Sequence, residues 1–105
     1  HASKSGNGAG YPEFIIRFKN NFDFLIIIEC KANIKYHKSN SLDKYKDYAV
    51  DGALLYASFL SKEYDVLAIG VSGESEKELK VSHYLHLKGK DKAFEVFGEK
   101  LLTPE

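Results

Sequence analysis

The sequence carries a single cysteine, Cys30, so no internal disulfide can form and a reducing, cytoplasmic setting is expected. It has no hydrophobic run long enough to span a bilayer, and no signal-peptide pattern opens it. It has no excess of either charge: 15 Lys and Arg balance 15 Asp and Glu. That removes the simplest argument for a nucleic-acid binder, a strongly basic domain, although a balanced total still permits uneven placement. Neither an internal repeat nor an interdomain linker interrupts it. What remains, in 105 residues of which 44% are hydrophobic, is enough for one small core. Residues 1–105 are therefore expected to form a single domain, with the Gly- and Ser-rich residues 1–10 as a flexible lead-in.

The charge is indeed uneven. Between residues 31 and 46 stand Lys31, Lys35, Lys38, Lys44 and Lys46 against Asp43 alone, and between 74 and 78 stand Glu74, Glu76 and Glu78 against Lys77. Such runs are ordinarily solvated loop surface. The basic one draws interest because it follows directly on Glu29-Cys30-Lys31.

Periodicity gives the elements. Residues 13–19 alternate as a strand, with Phe14, Ile16 and Phe18 on one face, and Asn20-Asn21-Phe22 reads as the turn of a hairpin. Residues 24–30, FLIIIEC, and 64–73, YDVLAIGVSG, are apolar on both faces and are expected to be central strands. Residues 32–41 read as a polar loop. Tyr45, Tyr48, Ala49, Gly52, Tyr56 and Phe59 recur at helical spacing, predicting a helix from about 42 to 61 with Ser41 as its N-cap. Gly52 within that stripe costs about 1 kcal/mol against Ala, which a close approach of helix to sheet would explain. Residues 78–87 read as a fourth strand and 91–98 as a short helix. A hairpin followed by a helical crossover to two more strands is an α/β fold, a mixed sheet with a long helix packed on it.

The chemistry gathers at the end of the second strand. Alternation puts Glu29 and Lys31 on one face and Cys30 on the other. With a three-residue loop, or a bulge of equivalent effect, Glu13 falls directly opposite Glu29, at a Cβ separation of about 4.5–5.5 Å. Two carboxylates so close repel unless one is protonated, both are solvated, or a cation bridges them. A hard divalent cation such as Mg²⁺ suits oxygen ligands of this kind, and Lys31 would point at the same spot, an arrangement of metal, water and cationic side chain that suits hydrolysis of a phosphodiester. The plain alternative is a cross-strand salt-bridge cluster. Cys30 reads as a small buried residue rather than a nucleophile. His83 and His86, three apart in a strand, face opposite ways and chelate poorly.

Pro12-Glu13, then Glu29-Cys30-Lys31 closing an aliphatic strand, resemble the signature of the PD-(D/E)xK nuclease superfamily, with Glu where Asp is commoner. The resemblance spans roughly residues 10–72 and includes the hairpin–helix–strand order. Within the superfamily the chain most resembles the nuclease domain of type I restriction endonuclease subunits. There a Gln-x-x-x-Tyr motif follows on the helix. Here Tyr56 matches, while Gly52 replaces the Gln and Asp51 stands just before it. The resemblance implies a restriction-endonuclease-like fold and a metal-dependent endodeoxyribonuclease. Glu13, Glu29 and the Cys30 backbone carbonyl would hold Mg²⁺, with Mn²⁺ as a substitute. Lys31 would orient water or stabilise phosphate charge, and Asp51 and Tyr56 are accessory candidates. Double-stranded DNA and other domains or subunits of a restriction complex would be the partners. The rival expectation is a nuclease-like module that no longer cuts and only binds DNA or other subunits. The neutral charge, and the absence of a helix and of any acidic residue before Glu13, lead to the expectation of a fragment of a larger protein. Such a fragment would cut poorly alone and leave one sheet face exposed or buried in a homodimer, because apolar positions on both faces of the two strands, such as Ile26, Ile27, Leu67 and Ile69, need cover.

Overall fold

The computed structural model describes residues 14–74 and 77–103. Strands β1 (Phe14–Phe18), β2 (Asn21–Lys31), β3 (Asp65–Glu74), β4 (Glu78–His86) and β5 (Phe94–Leu102) form one sheet in the order β1-β2-β3-β4-β5. β2 and β3 run parallel and the other neighbours antiparallel. The connection between the parallel pair carries a 3₁₀ turn (Ile34–Tyr36) and then α1 (Ala49–Leu60), which packs on β2 and β3. The protein is thus a mixed α/β fold, a five-strand mixed sheet with one helix packed on it. Among the described residues no helix is long and apolar enough to cross a membrane.

The inward positions of β2 and β3 explain the packing. Ile27, Val66 and Ala68 meet Val50, Ala53, Tyr56 and Ala57 of α1, with Tyr84 of β4 closing the cluster. Burying such side chains contributes about 1.5–3 kcal/mol each for the larger ones. The contact is close because two glycines permit it. A Cβ at Gly70 would stand 2.7 Å from Val50 Cγ2, and one at Gly52 would stand 3.0 Å from the Tyr45 carbonyl oxygen and 3.3 Å from Glu29 Cγ. The close approach expected at Gly52 is present.

The other face of the sheet presents Ile26, Ile28, Leu67, Ile69 and Val71, all partly exposed, and no described helix packs on it. Of the apolar positions expected on both faces, Ile27 lies under α1, and Ile26, Leu67 and Ile69 lie opposite. β1 is an edge strand, exposed along its whole length.

Three expectations need correction. The helix begins at Ala49 rather than 42: Leu42 has φ 62°, outside the right-handed region, and residues 44–48 form turns on the Lys44 carbonyl. Ser41 accordingly does not cap it; its hydroxyl donates to Asp43, and the N-cap residue is Tyr48, without a side-chain cap. The stripe loses Phe59, which is 58% exposed. Residues 91–98 do not form a helix. Phe97 and Gly98 both have positive φ, which a right-handed helix forbids, and the segment pairs with β4 as β5 around a shift in register. Finally, the first hairpin turns at Lys19 and Asn20, and β2 already begins at Asn21. A bulge between Arg17 and Phe18 supplies the offset that the longer loop was invoked to give.

Candidate functional site

That bulge fixes what faces what. Arg17 pairs with Leu25, Ile16 with Ile26, Ile15 with Ile27 and Phe14 with Ile28. This is the register the carboxylate argument requires. Glu13, the next residue of the proposed pair, lies outside the described residues.

Glu29 and Lys31 share the α1 face of β2, near the C-terminal ends of the two parallel strands, with Glu29 beside Gly70 and Lys31 beside Ser72. Glu29 is only 9% exposed. Its side chain lies along the space left by Gly52, so the residue that replaces Gln in the resembled motif has a visible local use. Lys31 donates from Nζ to the Lys46 carbonyl at 2.8 Å. Cys30 falls on the opposite face and is partly exposed, as alternation demands.

The two accessory candidates behave differently. Tyr56 is buried, and its hydroxyl makes no hydrogen bond. Burial first, and the Glu29 carboxylate second, raise its pKa above the usual 10.0, so it stays neutral at physiological pH. Asp51 is wholly buried in the first turn of α1. Its carboxylate accepts the Ser39 N–H at 3.0 Å, the Ser39 hydroxyl, and the Lys44 N–H at 2.9 Å. It is an anchor for the β2–α1 connection, with its oxygens committed to that segment.

That connection is more ordered than a polar loop. His37 is 3% exposed, its Nδ1 and Nε2 each 2.8 Å from a serine oxygen, Ser72 Oγ and Ser82 Oγ respectively. Burial lowers its pKa below 6.5; Glu99 opposes the shift and Lys80 and Lys38 add to it. Sequence reasoning missed this cluster, though a signal existed: Ser72 and Ser82 occupy inward positions of β3 and β4, where a hydroxyl demands a partner. His83 and His86 do face opposite ways, His83 edge-on to the Phe97 ring and His86 Nε2 donating to the Lys90 carbonyl. Among the described residues no three His, Cys, Asp or Glu side chains gather as a ready metal site. A groove lined by Ala32, Ile34, Gly73, Glu74 and Glu78 lies past the end of β2 and includes none of the site residues.

No protein-family model, no curated protein and no solved structure matches this chain.

Proposed function

We propose that the chain is a metal-dependent endodeoxyribonuclease domain of the PD-(D/E)xK kind, with the restriction-endonuclease-like fold. Its particular form is the nuclease domain of a type I-like restriction enzyme, a piece of a larger protein working with other domains or subunits. The observation that carries this reading is the placement of Glu29 and Lys31 on one face at the end of a central strand. That strand belongs to a hairpin, and a helical crossover links it to a parallel neighbour.

The donors suit a hard cation. The Glu29 carboxylate, the Cys30 carbonyl and the Glu13 carboxylate from beyond the described residues are all oxygen, and the Cys30 thiol is turned to the other face. Magnesium takes one or two carboxylates with waters and phosphate oxygens, and manganese accepts similar ligands. Bound there, the cation would supply charge neutralisation at the phosphodiester and a more acidic water. The protein's own groups would do the rest. Lys31 has three N–H donors, one of them on Lys46, leaving two for a water or a phosphate oxygen. α1 covers Glu29, and the low local dielectric strengthens its interaction with a cation. Neutral Tyr56 adds no charge to repel DNA. Because the chain is neutral overall, grip on the duplex and choice of target would come from partner domains.

The aliphatic second face of the sheet favours one other reading, a nuclease-like module that only binds DNA or other subunits. Cleavage by the intact parent protein separates them. Glu29→Ala and Lys31→Ala should each abolish DNA cutting while the domain stays folded. Wild-type rates in either would return the cluster to a structural role.

A further inference from the structure

Lys31 does not choose its position alone. Its ammonium is held by the Lys46 carbonyl, which belongs to a stretch, residues 37–48, without helix or strand. Such a stretch holds a carbonyl in place only if it is itself held. Two anchors do so. The His37 ring lies between Ser72 and Ser82, and its carbonyl accepts the Val50 N–H at 2.8 Å. Nearer to Lys46 is Asp51, whose carboxylate gathers the Ser39 N–H, the Ser39 hydroxyl and the Lys44 N–H. A wholly buried carboxylate is costly unless hydrogen-bonded, and one saturated by three donors ties them firmly. The next helical residue, Gly52, leaves room for the Tyr45 carbonyl and for the Glu29 side chain together. Adjacent residues of α1 thus seat the segment 44–46 directly over Glu29, one by binding it and the other by vacating space.

We infer that Asp51 is a positioning residue: by fixing the segment 44–46 it sets the Lys46 carbonyl, and so the place of the Lys31 ammonium on the face it shares with Glu29. Its consequence for cleavage rests on the nuclease reading. The link from Asp51 to Lys31 stands without it.

The test reads Lys31 itself. In protein with ¹⁵N-labelled lysines, the Lys31 Nζ protons should exchange with water more slowly than those of exposed Lys77. Asp51→Asn leaves one oxygen for three donors and should speed Lys31 exchange by about tenfold, a hydrogen bond to a charged group being worth about a decade or more in equilibrium. Ser39→Ala removes one of the three donors to Asp51, together with the acceptor of the Leu42 N–H, and should speed it by roughly threefold, half a decade on the same scale. It keeps the inference testable if Asp51→Asn does not fold. Unchanged Lys31 exchange in a folded Asp51→Asn protein, or in Ser39→Ala where Asp51→Asn is unfolded, would overturn the role. A Lys31 response, with an intact parent protein that never cuts DNA, would keep the role and remove the nuclease reading.

Discussion

Adding one methyl group at Gly70 should loosen the helix from the sheet. Gly70 lies on β3 between Glu29 of β2 and Ser82 of β4, under the first turn of α1. An alanine Cβ would stand 2.7 Å from Val50 Cγ2 and 2.9 Å from the Val50 nitrogen and Cα. Carbon atoms in ordinary contact are about 3.5–4.0 Å apart, so the turn would have to lift by roughly 1 Å. Val50 is 1% exposed and donates to the His37 carbonyl, so the lift both opens the core and strains a hydrogen bond. Overpacking costs about 1–3 kcal/mol, and the strained bond adds about 1 kcal/mol. The lower chain entropy of alanine in a strand offsets about 0.5–1 kcal/mol. The net is a loss of about 2 kcal/mol, or roughly 8–16 °C in Tm for a domain of this size. Thermal and urea unfolding followed by circular dichroism would measure it, with amide shifts of Val50 and His37 moving in the variant. Gly89→Ala is the comparison: it meets nothing within 4 Å and only its φ of 77° is strained, so it should leave those shifts in place. A Gly70→Ala protein as stable as wild type, with Val50 unshifted, would refute the close packing.

Two further outcomes follow from the buried polar groups. The folded His37 has a lowered pKa, so its contribution to stability is complete above pH 6.5 and is lost progressively as pH falls from there toward the folded value. Urea midpoints at pH 7.5 and 5.5 should therefore fall further apart in wild type than in His37→Gln, and equal falls would contradict the burial argument. Tyr56→Phe removes a buried hydroxyl that has no hydrogen bond, and stability should stay level or rise by up to about 1 kcal/mol. A loss beyond that in chemical denaturation would mean the hydroxyl is engaged.

The sequence made the sheet's centre legible because β2 and β3 carry long runs that are apolar on both faces, as buried interior strands do. It also made the Glu29 and Lys31 facing legible, since alternation in an unbroken strand admits one answer. Other features depended on tertiary competition. Helical spacing at Tyr45 and Tyr48 was genuine, yet Asp51 drew the Ser39 and Lys44 amides to its carboxylate and the helix started later. β5 was obscured because its apolar residues do not alternate cleanly through the positive-φ pair Phe97-Gly98. The His37 cluster was hidden because its parts lie 35 and 45 residues apart, and no local pattern joins them. Asp51 was singled out for its neighbourhood to Gly52, while its work as an anchor emerged only from its three hydrogen bonds.

The central claim is that the end of β2 receives a hard divalent cation. Manganese titrated into ¹⁵N-labelled protein, with a short DNA duplex present to supply phosphate oxygens, tests it amide by amide through paramagnetic broadening. The account predicts that Glu29, Cys30, Gly52 and Gly70 broaden at the lowest manganese, and that Glu29→Gln removes the effect. Broadening confined to Glu74 and Glu78, the acidic pair facing one another at the β3–β4 turn, with Glu29 and Cys30 sharp throughout, would contradict it.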